Sequence, residues 1–183
     1  MAVKLLTTLA EIMAVARGAK KTGGTSFGTN TRQKRGKKME IELRRYPKLE
    51  DMVWMKECTL GTMGKDAKTP PTSEFVRRLL VARHSPIREL RFSYVIRDIP
   101  YWVTVHLVRH HVGFQPYVQS QRNDRQTNYD RTKAPQDAPV TMRVTLNAEA
   151  LMNLANKRLC AKASPETREV VQRMCRLAEM VVP

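Results

Sequence analysis

The chain has 183 residues, of which 42% are hydrophobic, and this length and composition predict one domain with a buried core. No run of about 18 apolar residues occurs, and Lys4 and Glu11 interrupt the mildly apolar start, so neither a transmembrane helix nor a signal peptide is expected. The three cysteines, Cys58, Cys160 and Cys175, form no closely spaced pair. They predict buried thiols in a reducing cytoplasm and argue against a metal site.

The formal net charge of +16 favours a polyanionic partner. Nine basic residues and one acidic residue fall in residues 1–38, whereas residues 39–183 hold 24 basic and 16 acidic residues, so each part carries +8. We therefore expect a basic, flexible N-terminal extension over residues 1–38 and a folded domain over residues 39–183. The extension is either an upstream segment with no role in the fold or an arm that binds nucleic acid.

The apolar spacing in the first part of the domain predicts two strands that enclose two helices. In chain order these are a strand over Met39–Leu43, a short helix within Leu49–Leu60, a helix that Ser73 caps and that ends at His84, and a strand over Arg91–Ile96. Gly61–Pro71 is expected to be a loop. Trp54 and Trp102 are expected to lie in the core.

The second part of the domain is predicted to be mainly helical. A helix over Tyr101–Val108 leads into a loop with Gly113 and Pro116, and Asn123–Pro139 is expected to be a polar loop. Asn147 and Ser164 are the predicted N-caps of the last two helices, the second of which has Pro165 at its first position. Cys160 and Cys175 are expected to be buried as small apolar groups.

Phosphate-binding and ring-binding side chains crowd into the segment that begins at Arg109-His110-His111 and ends at Ser120-Gln121-Arg122. His106, Arg109 and His110 are spaced to share one face of a helix. The planar guanidinium of arginine suits phosphate, and histidine donates or accepts hydrogen bonds near neutral pH. The alternative is an ordinary amphipathic helix with a solvated basic face.

This segment resembles the signature of the flavin-dependent thymidylate synthases, which begins with Arg-His-Arg and ends with Ser-x-Arg-Tyr. Here the signature reads Arg109-His110-His111, an intervening segment with one extra residue, and Ser120-Gln121-Arg122-Asn123. Upstream, His84-Ser85-Pro86 resembles the His-Ser-Pro block of the family. Downstream, the segment from Asn147-Ala148 through Arg158 to Arg168 resembles its C-terminal block, so that three blocks occur in the expected order over residues 39–183.

Carried over position by position, the resemblance implies a role for each motif residue. FAD would be contacted by His84, Arg109, His110, His111, Asn147 and Asn153. The nucleotide would be held by His106, Ser120, Gln121, Arg122 and Arg158, of which Ser120 and Arg158 are the candidate catalytic residues. No metal ion is implied. Asn147 and His84 also have structural alternatives, as an N-cap and as the residue that closes a helix.

The chain departs from the family pattern at several positions. Phe114 and Pro116 replace the first Ser and the Asn of the signature, and Arg88 stands where the His-Ser-Pro block has Glu. The family's longer segment with an Ala-Arg-x-x-Leu-Pro motif is missing. Its substrate-holding arginine could be replaced by Arg125, Arg131 or Arg143.

The resemblance implies an α+β domain in which helices flank an antiparallel sheet, assembled as a cytoplasmic homotetramer with active sites shared between subunits. It implies an FAD-dependent enzyme that reductively methylates dUMP to dTMP with methylenetetrahydrofolate and NADPH as co-substrates. In such enzymes the cofactor supplies the difficult chemistry and the protein supplies orientation and electrostatics. The alternatives are a relative that acts on another pyrimidine nucleotide and, from the charge, a nucleic-acid-binding protein.

Overall fold

The structure is a computed structural model that describes residues 39–126 and 130–182, so the predicted extension over residues 1–38 lies outside the described residues. Four strands and five α-helices follow one another in chain order. They are β1 (Glu40–Arg45), α1 (Leu49–Gly61), α2 (Ser73–Ala82), β2 (Arg91–Pro100), α3 (Tyr101–Val108), β3 (Phe114–Val118), β4 (Pro139–Asn147), α4 (Ala148–Arg158) and α5 (Pro165–Glu179), with a 3-10 helix at Ser85–Glu89 before β2. Within these described residues, no helix is both long and apolar enough to cross a membrane.

The four strands form one antiparallel sheet in the order β1-β2-β4-β3. Side chains alternate between the two faces of a strand, and in β2 Phe92, Tyr94 and Ile96 are buried on one face. Ile99, beyond the irregular part of the strand, is also buried, and Val95 on the other face is 8% exposed. In β4 the buried set is Val140, Met142, Val144 and Leu146. Except for Val95, these residues form one apolar face of the sheet, and the expected α+β fold with an antiparallel sheet and helices is confirmed.

Helices α3, α4 and α5 cover this apolar face. Their buried side chains, which include Leu107, Leu151 and Val170, belong to the same hydrophobic cluster as the inward residues of β2 and β4. The phenolic hydroxyl of Tyr94 crosses the core and donates a hydrogen bond to the carbonyl oxygen of Met174 in α5 at 3.0 Å. Burial raises the pKa of Tyr94, so this hydroxyl stays protonated as the donor.

The predicted loop with Gly113 and Pro116 is confirmed at Gly113, which lies in a turn, but it is wrong at Pro116, because Phe114–Val118 form strand β3. Pro116 pairs with Val144 of β4, and β3 is the edge strand of the sheet. A proline lacks the N–H that a central strand needs, but an edge strand has one unpaired side and tolerates it. Strand β4 lies between β3 and β2. The sequence analysis predicts no element over residues 140–146, so this strand is missed.

Strand β2 extends beyond the predicted end at Ile96 to Pro100. The pairing register with β4 shifts between Ile96 and Ile99, and Asp98 has a positive φ of 55° within the shift. The irregularity breaks the two-residue alternation that marks a strand in the sequence, which is why the prediction stops early.

Two predicted helix caps are confirmed, and one is displaced by a residue. The side-chain oxygen of Asn147 accepts from the Ala150 amide, and that of Ser164 accepts from the Thr167 amide. The predicted cap Ser73 is wrong, because Thr72 occupies the N-cap of α2 and accepts from the Phe75 amide. Serine and threonine cap helices by the same hydrogen bond, so composition alone does not distinguish neighbours.

Burial corrects two further expectations. Trp54 lies on α1 and is 54% exposed, so it is not in the core. Trp102 is partly buried and packs against the hydrophobic core. Cys160 is exposed beyond the end of α4, and Cys175 is buried in α5. Burial raises the pKa of the Cys175 thiol to about 12, so that thiol is protonated and unreactive near neutral pH.

Replacing Tyr94 with Phe removes the donor and leaves the buried carbonyl of Met174 without that partner. We expect the free energy of unfolding to fall by about 1–2 kcal/mol, measured by urea denaturation. The control is Tyr117→Phe, because Tyr117 is 64% exposed and its hydroxyl is solvated. Equal stability of the two variants would contradict a structural role for the Tyr94 hydroxyl.

Candidate active site

The guanidinium of Arg158 joins the ends of helices α3 and α4. Its Nη2 donates to the backbone carbonyl of His106 at 2.8 Å, and its Nε donates to the imidazole Nε2 of His110 at 3.0 Å. Arg158 therefore meets two residues that lie 52 and 48 positions earlier in the sequence, and all three are candidate ligand residues. Arg158 is only partly buried, so the corner that it forms remains accessible to a ligand.

His110 is held in one protonation state by this contact. Because Arg158 can only donate, the Nε2 atom of His110 must accept, and the ring is a neutral imidazole with its proton on Nδ1. Partial burial, followed by the nearby charge of Arg158, lowers the pKa of His110 below its usual value. The corner thus presents one permanent cation next to a neutral ring whose Nδ1–H is a donor.

His106 is oriented by neighbours on both sides of its ring. Its Nδ1 lies 3.4 Å from the hydroxyl of Thr167, and the Trp102 ring meets it edge-on with centroids 5.4 Å apart. The Thr167 hydroxyl in turn accepts from the Ser164 hydroxyl at 2.8 Å. The N-terminus of α5 therefore supports the ring of His106, a role for Ser164 and Thr167 beyond helix capping.

The expected helical face of His106, Arg109 and His110 is only partly formed. Helix α3 ends at Val108, and Arg109 is its C-cap residue. The amide of His110 still donates to the Leu107 carbonyl, but Arg109 is exposed and makes no side-chain hydrogen bond within the described residues. His111 is also exposed, and its Nδ1 lies 3.1 Å from the Arg109 carbonyl.

Gly113 packs against the side chain of Asn147 and has a φ of +66°. A β carbon at Gly113 would lie 2.6 Å from the Asn147 Nδ2 atom, which is closer than a carbon can approach. The Oδ1 atom of Asn147 caps α4, so its Nδ2 group is left as the free donor. Both residues line a cleft of about 210 Å³ together with Arg88, whose Nε donates to the Glu149 carboxylate at 2.6 Å.

Arg83 is a candidate residue that the sequence analysis missed. It is the C-cap of α2, with φ at +49°, and its Nη1 donates to the Oδ1 atom of Asn153 at 3.1 Å. Its Nη2 atom is buried without a hydrogen-bond partner among the described residues. The neighbouring His84 is exposed; its backbone amide donates to the carbonyl of Leu79, and its own carbonyl accepts from the amide of Ile87. No motif marks Arg83, because only the folded chain shows its contact with Asn153.

The loop after β3 is held by contacts of its own. The guanidinium of Arg122 pairs with the Asp124 carboxylate at 2.6 Å, and the Ser120 hydroxyl accepts from the Arg122 amide. The Nε2 atom of Gln121 is buried without a partner within the described residues. No hydrogen bond or ion pair among those residues joins this loop to Arg158.

The three arginines considered as substitutes for the missing substrate arginine lie at other places. Arg143 is on the face of the sheet opposite the helices, Arg125 lies 3.8 Å from the Asp124 carboxylate, and the backbone amide of Arg131 donates to the side chain of Asn123. None of them hydrogen-bonds to Arg158 within the part of the chain that the structure describes. In the same part, no group of three His, Cys, Asp or Glu side chains is arranged to hold a metal ion.

The pKa of His110 gives a prediction with a definite sign. The folded state disfavours the protonated ring, so stability is full above the ordinary value of 6.5 and decreases as the pH falls through it. In an NMR titration, we expect His110 to titrate below 6.5 and its midpoint to move upward in Arg158→Gln. Arg176→Gln, which removes an exposed charge on α5, serves as the control. A midpoint that Arg158→Gln leaves unchanged would contradict the contact.

Gly113→Ala and Gly64→Ala form a matched pair, because both glycines have a φ of +66° but Gly64 has nothing within 4 Å of its added β carbon. Both variants carry the left-handed backbone cost of about 1–2 kcal/mol. Gly113→Ala also displaces Asn147 and weakens the cap of α4, which adds about 1 kcal/mol. Thermal or urea unfolding measures the difference, and equal losses would show that Asn147 moves aside freely.

Comparison with known proteins relates this arrangement to a family. A sequence model of the family described as Thy1, thymidylate synthase complementing protein, matches residues 128–183. No curated protein matches the sequence. Among solved structures, thymidylate synthase X (ThyX) from Helicobacter pylori, solved with FAD and dUMP, is similar with a TM-score of 0.59 and 15% identity over 74% of this chain and 91% of that chain.

A second similar structure is the UMP/dUMP methylase PolB from Streptomyces cacaoi, bound with 5-Br dUMP, with a TM-score of 0.61 and 16% identity over 80% of this chain and 92% of that chain. The same methylase bound with 5-Br UMP matches with a TM-score of 0.59. The resemblance to the flavin-dependent thymidylate synthase family is thereby confirmed, by the sequence of residues 128–183 and by a fold that spans most of the chain.

Proposed function

We propose that the chain is an FAD-dependent enzyme that reductively methylates dUMP to dTMP, with methylenetetrahydrofolate and NADPH as co-substrates. The family match over residues 128–183 supports a nucleotide-methylating enzyme. The similar ThyX structure contains FAD and dUMP, and the similar methylase PolB was solved with both 5-Br dUMP and 5-Br UMP. UMP is therefore the second candidate substrate.

The contact between Arg158 and His110 is the observation that carries the proposal. It places a fixed guanidinium and a neutral imidazole at one accessible corner, as recognition of a pyrimidine edge and a flavin ring requires. The backbone carbonyl of His106 contributes to the same corner by accepting a hydrogen bond from the Arg158 Nη2 atom. Other Arg158 N–H groups remain available to a ligand. Arg158 acts here by orientation and charge.

The donor set near Asn147 and Asn153 fits a flavin. Both amides have their Oδ1 atoms engaged, by the Ala150 amide and by Arg83, and neither NH₂ group has a hydrogen-bond partner among the described residues. The polar edge of a flavin ring presents oxygen and nitrogen acceptors to such donors. The Arg83 Nη2 atom is a further buried donor without an acceptor. When bound, reduced FAD supplies the hydride and the folate supplies the methylene group.

The loop Ser120-Gln121-Arg122 would hold the nucleotide phosphate. The Ser120 hydroxyl and the Arg122 guanidinium are suitable donors, and the unpartnered Gln121 Nε2 supplies a third. Arg122 is already paired with Asp124, so a phosphate must displace that carboxylate. Because the loop makes no hydrogen bond to Arg158, a site shared between copies in a homotetramer would unite the two halves. His84, Arg109 and His111 are exposed and available to FAD in such an assembly.

The test is the visible absorbance spectrum of the full chain titrated with FAD and then with dUMP. We expect a bound-flavin spectrum that shifts on addition of dUMP. Arg158→Gln should lose the dUMP-dependent shift, with at least a tenfold weaker apparent affinity, because a charged hydrogen bond contributes about 1.5–3 kcal/mol. Lys157→Gln is the matched control, since it removes an equal charge from the exposed neighbouring position.

Failure of the chain to bind FAD at micromolar concentration would overturn the proposal and leave the fold resemblance alone. Binding of FAD with a response to UMP but none to dUMP would assign the second candidate substrate. An Arg158→Gln variant that responds to dUMP like Lys157→Gln would remove Arg158 from the substrate site.

A further inference from the structure

The face of the sheet opposite the helices carries a surface that the proposed enzyme site does not use. We call it the outer face and define it by the outward side chains of the central strands, Ser93, Val95 and Arg97 of β2 with Arg143 and Thr145 of β4. These residues line an open cleft of about 480 Å³. The cleft contains none of the residues that form the Arg158 corner.

A bulge in β1 adds two arginines to this surface. The pairing register with β2 shifts between Leu43 and Arg45, and Arg44 and Arg45 both line the cleft. A regular strand would send two consecutive side chains to opposite faces, whereas a bulge brings them to one side. The same two arginines line a second cleft of about 310 Å³ with Tyr46, Lys48 and Arg91, so the two clefts adjoin at Arg44 and Arg45.

The positive charge of the outer face is only partly compensated. Arg44 pairs with Glu42, and Arg97 pairs with Glu42 and Glu40. Arg45, Arg91 and Arg143 form no ion pair with any residue between 39 and 126 or between 130 and 182. The Asp51 carboxylate in the second cleft is engaged by the Lys48 amide at 2.7 Å. Three uncompensated guanidinium groups on one surface favour a ligand with several phosphates.

Two exposed aromatic rings lie along the same clefts. Tyr117 of β3 is 64% exposed and is the direct register partner of Arg143, so their β carbons are about 5 Å apart. Tyr46 is 38% exposed at the other end, where the Lys48 ammonium lies over one face of its ring at 3.7 Å. An aromatic ring beside an arginine is the pairing that holds a base and its phosphate together.

We propose that the outer face binds single-stranded nucleic acid along these two clefts, with phosphates at Arg45, Arg91 and Arg143 and a base stacked on Tyr117. A flat sheet with exposed rings suits unpaired bases, since the bases of a duplex are stacked on one another. Arginines spread over two adjoining clefts favour an oligonucleotide over a single nucleotide. Arg91 and Thr145 also line the cleft beside Gly113 and Asn147, so the outer face adjoins that cleft. The inference does not rest on the proposed methylation, because no residue of the Arg158 corner lines the outer face.

The test is fluorescence anisotropy of the full chain with a short labelled oligodeoxythymidine over a range of salt concentrations. The variant Arg45→Gln/Arg143→Gln should bind at least about tenfold more weakly at low salt, and the slope of log K against log salt should decrease in magnitude by about 1.4 for two lost contacts. Tyr117→Ala should weaken binding by about tenfold while leaving that slope unchanged. The matched control is Arg78→Gln/Arg176→Gln, which removes two exposed charges from helices α2 and α5.

Any contribution of residues 1–38 is common to all three variants, so the difference in binding between the two double variants reports the contribution of the sheet. Equal weakening in both would overturn the proposal, as would absence of binding at low salt. Preference for duplex DNA, or equal competition by a mononucleotide, would also overturn it. If Arg45→Gln/Arg143→Gln instead changes self-association and no oligonucleotide binds, the face belongs to a second copy of the chain.

Discussion

The contact of Arg158 with the end of α3 is the interaction on which the candidate site depends. One guanidinium fixes the direction of α4 relative to α3 and selects the neutral tautomer of His110. The charge-assisted hydrogen bonds of this partly buried cation are weakened less by solvent than those of an exposed ion pair. The same group that ties the helices together is thus the one presented to a ligand.

The residues that position His106 also stabilise this corner. The N-terminus of α5 brings Ser164 and Thr167 against the ring, and Thr167 is fully buried. Helix α5 is itself held to the sheet by the hydroxyl of Tyr94. A series of contacts therefore connects the centre of the sheet to the candidate site. We expect a substitution that disorders the core to disturb the position of His106 as well.

Alternation along β2 and β4 separates two kinds of chemistry. One face of each strand is apolar and packs under the helices, and the other carries arginines and hydroxyl groups that face solvent. The positive net charge is accordingly not spread evenly over the domain. The inward side chains form the core, and the outward side chains carry the surface proposed to bind nucleic acid.

Elements governed by local chemistry could be predicted from the sequence. The caps at Asn147 and Ser164 follow from one side chain and the amide three residues later, and the helices that they start were found. Strand β3 could not be found in the same way. Pro116 argues against a strand unless the strand is known to lie at a sheet edge, and edge position is a property of the whole sheet.

The candidate site shows the same limit. The residue types of the Arg109–His110 and Arg158 blocks were recognised by resemblance, but their contact spans 48 residues of sequence. The contact between Arg83 and Asn153 spans 70 residues, and no spacing rule predicts it. The predicted burial of Trp54 and Cys160 failed because burial depends on which neighbours the fold supplies.

The most direct test of the proposed nucleotide methylation is product formation. The full chain is incubated with FAD, NADPH and methylenetetrahydrofolate, and with dUMP or UMP in separate reactions, and the nucleotides are analysed by mass spectrometry. The account predicts a pyrimidine nucleotide heavier by one methylene group that forms only when FAD is present and is lost in Arg158→Gln. A chain that binds FAD and nucleotide but leaves both substrates unmethylated would contradict it.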